Sequence, residues 1–270
     1  SALFVGSGGA FGGVTRVAVE LTPGPAGRSG GFLAPATAEA TLRVLAAVES
    51  GLGPLLSAFE VMSDVAVRAA LDTVDGLHAP FRGGGPELVV LVEAAGPTGT
   101  GDVLARVVAD LEPAGTLADA VVAPPADAWS LRHAITEGRS RTGTVVGFDV
   151  SVPRSELVAF RADVRSRVGR VLPRATVADF GHWADGGMHC NLVFPADAPP
   201  SPEERDLARG VVFGTAVDDH RGSYSAEHGI GPHNADWWRR VTPEANQRAI
   251  RSLRDRFDPD RVLGHPDLPF

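Results

Sequence analysis

The chain has 270 residues and a mass of 28.1 kDa, enough to bury one large core or two small ones. Its formal charge of -8 and pI near 5.5 argue against a nucleic-acid backbone as partner, and 44% hydrophobic with 21% charged residues is the balance of a soluble globular chain. The single cysteine, Cys190, excludes an internal disulfide and any cysteine-based zinc site and suits a reducing cytoplasm, while no apolar run approaches the length of a membrane span.

Ala2-Leu3-Phe4-Val5 has the look of a strand, followed by a glycine-rich turn, Gly6-Ser7-Gly8-Gly9-Ala10-Phe11-Gly12-Gly13. Val14 to Leu21 alternates Val17, Val19 and Leu21 against Arg16, Ala18 and Glu20, the period of a strand. Pro23 and Pro25 then mark a boundary, which divides the chain into residues 1–24 and 25–270. The first residue is Ser1, and the chain is expected to begin inside something larger. A first helix is predicted from Thr37 to Gly51 with Leu42, Leu45 and Val48 inward, and a second from Ser63 with Val67, Leu71 and Val74 on one face. Glu87 to Ala94 reads as a buried strand, and Leu104, Val107, Val108 and Leu111 form a helical stripe. The pattern then repeats. Thr144 to Val152 is a strand, Leu157, Phe160, Val164 and Val168 line a helix, and Met188 to Phe194 is another strand. Ser201-Pro202-Glu203-Glu204 is a capping box, and Thr242-Pro243 opens a last helix through Ile250, Leu253 and Phe257. These strand–helix–strand units predict an α+β fold of ferredoxin-like type, a largely antiparallel sheet with helices packed on one face.

Most of the eight histidines lie between His182 and His265. His182 and His189 are separated by Gly186-Gly187, which favours a turn leading into a strand over a shared helix face. On that strand His189 and Asn191 point to one side, and Met188, Cys190 and Leu192 to the other. By itself this is equally the pattern of a surface histidine pair. Downstream, Glu227 and His228 sit between glycines in Gly222-Ser223-Tyr224-Ser225-Ala226-Glu227-His228-Gly229-Ile230-Gly231. Two imidazoles and a carboxylate form the ligand set of an open catalytic metal site, and a further histidine outside the shell suits acid–base work. A buried Glu–His ion pair fits the second cluster too.

The spacing Gly181-His182-x-x-Asp185-Gly186-x-x-His189-x-Asn191, followed by Ser225-Ala226-Glu227-His228-Gly229-Ile230-Gly231, resembles the C-terminal domain of the FAD-linked oxidases. These are the D-lactate, glycolate and D-2-hydroxyglutarate dehydrogenases of the vanillyl-alcohol-oxidase superfamily, with the pattern GHxGDGNxHxN, then SxEHGxG, then a tail FDPxxxLNPGK. Asp258-Pro259-Asp260-Arg261-Val262-Leu263 is similar to that tail, and Gly6 to Thr15 is similar to GSEGTLGIIT, the last segment of the family's flavin-binding domain. The resemblance implies His182, His189 and Glu227 as ligands of a divalent metal, zinc by analogy, and His228 as the base. It implies Arg132 and Thr136, within Arg132-His133-Ala134-Ile135-Thr136, as binders of the substrate carboxylate, with Asn191 as a further substrate contact. Gly6, Ser7, Gly9, Gly12 and Val14 fall where the family meets FAD. The pattern departs at Gly147 and Asn234, where the family has lysines, at Gly8 for the glutamate of GSEGT, and at Gly264-His265-Pro266-Asp267 for Asn-Pro-Gly-Lys.

The implied activity is oxidation of a small D-2-hydroxy acid to the 2-oxo acid, with hydride transfer to FAD and onward transfer to an electron acceptor. The family's main phosphate-binding glycine loop has no counterpart here, so residues 1–24 read as the remnant of a flavin domain. The chain is expected to need a separate FAD-binding domain or subunit and to hold no FAD by itself. A non-catalytic partner domain and a His-His-Glu metal hydrolase are the alternative readings.

Overall fold

The computed structural model describes residues 3–83 and 85–263, so the tail departures at 264–267 lie outside the described residues. It forms two compact units, Gly24–Tyr224 and a smaller one comprising Ser1–Pro23 with Ser225–Phe270. Among the described residues no helix is long and apolar enough to cross a membrane.

The larger unit runs β1 (Gly27–Pro35), α1 (Ala40–Leu52), β2 (Leu56–Ser63), α2 (Asp64–Thr73), β3 (Leu88–Gly96), α3 (Thr100–Leu111), β4 (Leu117–Ala123) and α4 (Pro125–Thr142). It continues with β5 (Gly143–Ser151), α5 (Leu157–Val171), β6 (Thr176–Gly181), β7 (Gly187–Pro195) and α6 (Pro202–Gly214). All seven strands join one sheet in the order β4-β1-β3-β2-β6-β7-β5, and every pairing is antiparallel. The first four strands, with α1 and α3 as crossovers, have the 4-1-3-2 order of a ferredoxin-like motif. β5, α5, β6 and β7 repeat that order without a fourth strand. The two motifs meet edge to edge where β2 pairs with β6, Val61 opposite Gly181 and Met62 opposite Phe180.

This seam sets the layers. β3 is an unbroken apolar run, Leu88 to Val92, and such a strand needs cover on both faces. One face carries the crossover helices. There Gly51 of α1 packs on the Val107 side chain of α3, and Phe148 of β5 meets Phe213 of α6 edge-on at 5.3 Å. Leu157, Phe160, Val164 and Val168 of α5 are all buried, as their spacing predicts. The other face carries α2 and α4, a layer beyond the one-sided packing expected from sequence. Its core joins Phe32, Met62, Leu91 and Phe180 of the sheet to Val67 and Ala70 of α2 and Leu131 and Ile135 of α4. The two helices cross so closely at Gly138 that a Cβ there would lie 2.5 Å from Cα of Ala70.

Local signals explain several ends. The Ser63 hydroxyl accepts from the Ala66 amide and starts α2. Ser201 and Glu204 cap α6 reciprocally, as the motif predicts. Other expectations fail. Leu3 to Val5 lies in a turn rather than a strand, and residues 14–21 pair with no strand among the described residues. Val14, Val17, Val19 and Leu21 are accordingly exposed; alternation alone makes no strand without a neighbour to bond. In the smaller unit α7 (Ala235–Val241) and α8 (Glu244–Phe257) follow one another, and Phe257 meets Phe4 and Phe11 at ring distances of 5.5 and 6.0 Å.

On the crossover face, Arg161 of α5 donates to Asp179 of β6 at 2.6 Å and to Glu87 at 2.5 Å. Burial alone would lower the guanidinium pKa, but Asp179 and Glu87 outweigh it and raise it. Truncating one partner of such a pair strands the other charge. Arg161→Leu is expected to cost about 3–5 kcal/mol in urea denaturation, against about 1 kcal/mol for the cap variant Ser201→Ala.

Candidate functional site

Helix α4 lies along the sheet face at the seam and reaches three strands. Trp129 Nε1 donates to Glu93 of β3 at 3.0 Å, Arg132 Nε to Glu60 of β2 at 2.7 Å, and Arg139 Nη1 to Asn191 Oδ1 of β7 at 2.5 Å. The registers bring these acceptors to one face. Phe180 stands opposite His189, Ala178 opposite Asn191, and on the outer pair Asp149 opposite His189 and Gly147 opposite Asn191.

Glu60 is the buried hub. Its second oxygen lies 2.5 Å from Nδ1 of His182, the residue that follows β6. Burial by itself would raise the Glu60 pKa, but the hydrogen bond from His182 and the charge and hydrogen bond of Arg132 together hold it below the ordinary glutamate value. An ionised carboxylate only accepts, so His182 carries its proton on Nδ1 in this pairing. The His182 and His189 rings stand 5.6 Å apart and nearly perpendicular. Nδ1 of His189 lies 3.6 Å from Asp149 Oδ1. The Arg132 guanidinium sits 4.5 Å over the Phe180 ring, that of Arg139 5.7 Å from it, and His189 is 5.1 Å away.

The turn between the histidines is built from the residues that the motif singles out. The amides of Asp185 and Gly187 both donate to the His182 carbonyl at 3.1 Å, and the Asp185 carboxylate accepts from the Gly187 amide at 2.8 Å. Gly186 has φ 91°, and a Cβ there would lie 2.4 Å from the carbonyl oxygen of Val152, the residue after β5. Only glycine fits there.

The structure therefore gathers Arg132, His182, His189 and Asn191 on one face of the larger unit. Thr136 lies one turn beyond Arg132 on α4 and is exposed. Glu227 and His228 belong to the smaller unit, on a loop where both are exposed, with His228 Nε2 3.7 Å from Glu227 Oε1. The Ser225 hydroxyl closes that loop by donating to the Gly229 carbonyl at 2.6 Å. Gly6, Gly9 and Gly12 have positive φ in the same unit, with open space at Gly6 and Gly9. The Ser7 hydroxyl is directed to the Phe4 carbonyl, and Val14 is exposed. Cys190 is buried on the opposite sheet face, where burial first and Asp179 second push its thiol pKa up, so it offers no thiolate.

Three residues of the face escaped the sequence: Glu60, Arg139 and Asp149. The signals were slight. Glu60 is a lone acid in the apolar run Phe59 to Met62, Arg139 lies two turns after Arg132, and Asp149 is on the polar side of a strand whose apolar side was read.

Two ferredoxin-like motifs sharing one antiparallel sheet form a domain fold also found in solved structures. The structure of p-cresol methylhydroxylase with substrate bound matches 90% of this chain and 53% of its own at a TM-score of 0.64 and 14% identity, a likeness of fold. The model of the family FAD linked oxidases, C-terminal domain, matches residues 26–265, and the chain belongs to that family. The D-2-hydroxyglutarate dehydrogenase of Arabidopsis thaliana mitochondria is 30% identical over 97% of this chain and 48% of its own length. That of Xanthomonas citri pv. viticola is 31% identical over 97% and 55%. The chain thus spans about half the length of the curated relatives it matches.

Glu60→Leu removes the counter-charge of buried Arg132. It is expected to lower stability by about 3–5 kcal/mol in urea denaturation, whereas Thr136→Ala on the exposed side of α4 shifts it by less than about 0.5 kcal/mol.

Proposed function

We propose that this chain is the substrate-side domain of a flavin-dependent dehydrogenase that oxidises a D-2-hydroxy acid to the 2-oxo acid. It acts with a FAD-binding domain or subunit and passes electrons to a downstream acceptor. The observation that carries the reading is the face itself. Two imidazoles stand side by side next to guanidiniums, which is what a substrate with a hydroxyl beside a carboxylate requires.

The residues fit a divalent metal. His182 has Nδ1 hydrogen-bonded to the Glu60 carboxylate, the arrangement in which a histidine offers Nε2 to a metal, and Nδ1 of His189 lies 3.6 Å from Asp149. His182, His189 and Glu227 would hold it, zinc by analogy with the family. The open main chain at Gly6 and Gly9 fits close approach of FAD, with Gly12 and Val14 alongside, whereas the Ser7 side chain is directed into its own turn. When bound, the metal supplies a Lewis acid for the hydroxyl and FAD the two-electron acceptor.

The chain's own residues do the rest. Arg132 and Thr136 orient the carboxylate, and Asn191 holds its neighbours in register. His228 would take the hydroxyl proton, so that oxidation of R–CH(OH)–COO⁻ to R–CO–COO⁻ leaves one proton on the imidazole, and FAD, when bound, would supply the acceptor for the C2 hydride. Anaerobic mixing of the flavin-loaded protein with D-lactate or D-2-hydroxyglutarate is expected to bleach the flavin, and no bleaching by either acid defeats the reading. His228→Ala should slow bleaching by about 10²–10⁴-fold, while metal analysis should show stoichiometric metal in the parent and little in His182→Ala.

A further inference from the structure

We propose that Arg139 is the specificity-determining cation for the substrate's α-carboxylate, supplied by helix α4 in place of the lysine that the family carries on β5 at Gly147. The inference rests on the 2-hydroxy-acid reading for the identity of the ligand, and three observations carry it.

The first is charge. Arg132, the anchor implied by resemblance, already has its Nε on the buried carboxylate of Glu60 at 2.7 Å. Arg139 has no carboxylate partner among the described residues. Its one hydrogen bond goes to a neutral amide oxygen, Asn191 Oδ1, and its Nε is buried without any partner. Burial first, and the neighbouring charge of Arg132 second, pull its pKa below the ordinary arginine value. A partly buried guanidinium with an unsatisfied edge is a site for an anion, and a carboxylate matches its planar fork.

The second is space. A Cβ built at Gly147 would lie 3.8 Å from Arg139 Nη1 and 2.9 Å from Asn191 Oδ1. A side chain at 147 would therefore start in ordinary contact with Arg139 Nη1 and would crowd the amide oxygen that receives it. Asn191 is the residue both would meet. Its Nδ2 donates to the carbonyls of Ala178 and His189, both at 3.3 Å, which leaves Oδ1 to receive Arg139. Asn191 is thus a positioning residue for the cation.

The third is position. The Arg139 guanidinium and the His189 ring lie 5.7 and 5.1 Å from the same Phe180 ring. Arg139 and His189 thus border the same aromatic ring, and His189 is one of the residues proposed to hold the metal that would meet the hydroxyl. The carboxylate on the same carbon as that hydroxyl is the group proposed to meet Arg139.

The experiment titrates the flavin-loaded holoenzyme, this chain together with its FAD-binding domain or subunit, by calorimetry with pyruvate, 2-oxoglutarate and uncharged pyruvamide. Arg139→Leu is expected to weaken both acids by about 10- to 100-fold, the range for a lost charged hydrogen bond, and to leave pyruvamide unchanged. Gly147→Lys alone should weaken the acids, because it crowds the Asn191–Arg139 pair. The double variant Arg139→Leu/Gly147→Lys should recover at least about fivefold over Arg139→Leu, a coupling that a merely structural arginine would not show. Equal binding of the acids to parent and Arg139→Leu, equal loss of pyruvamide, or no binding of either acid to the parent each overturns the inference. Flavin bleaching that is indifferent to Arg139 sinks this inference alone. Arg139-dependent acid binding without any bleaching by the D-acids sinks the dehydrogenase reading instead.

Discussion

Glu60 brings a negative charge onto a central strand under a helix, where an unpaired carboxylate would not stay ionised. Two donors from separate elements hold it, Arg132 from α4 and His182 from the end of β6. Because β2 and β6 are the strands that join the two ferredoxin-like motifs, the same carboxylate fixes the helix above the seam and orients the imidazole beside it. His189, Asn191 and Arg139 follow from that arrangement. The strand registers carry β7 into line with β6, and α4 extends from Arg132 to Arg139 along the same face.

The seam is braced on its other face by a matching device. Asp179 of β6 is buried among the crossover helices and receives Arg161 from α5, with Arg165 3.6 Å away. Adjacent positions on one strand point to opposite faces, so Asp179 and Phe180 serve different layers. Each layer ties helix arginine to a buried strand acid. A buried ion pair gains little over well-packed apolar groups, so its use here is directional. It fixes helix register over a short contact, since β2 and β6 share only two paired positions.

The sequence made the strongly periodic elements legible. β3, β5, β7, α5 and the capped start of α6 follow from alternation, a 3.6-residue stripe and a capping box. β1, β2, β4, β6 and α4 were missed, the first three for plain physical reasons. β1 opens on glycines that leave no alternating side chains. β2 carries Glu60 in the middle of its apolar run, and β4 is an edge strand with Val122 exposed. The site divides in the same way. His182, His189 and Asn191 are within ten residues of one another and declared themselves as a motif. Glu60 lies 122 residues from His182 and Arg139 lies 52 from Asn191, and only strand pairing makes neighbours of them. Residues 14–21 show the converse, since their alternation is clear and their strand partner is absent among the described residues.

A site assembled from tertiary neighbours can exchange the source of a charge while its motif stays in place. The motif records His182, Asp185, Gly186, His189 and Asn191, which shape the turn and the strand, and it is silent about which element faces Asn191. Here Asn191 Oδ1 faces a helix arginine and the strand position opposite is glycine. A lysine and an arginine arriving from different elements present different hydrogen-bonding shapes, one a point charge and the other a planar fork. An arginine lacking a carboxylate partner costs stability through its desolvation, and Asn191 offsets only one of its donors. Such a group is retained where a ligand completes its hydrogen bonds, and local inconsistency of this kind concentrates at functional sites. The departure at Gly147 thus belongs to the same feature as Arg139, because a Cβ at 147 would crowd the amide oxygen to which Arg139 donates.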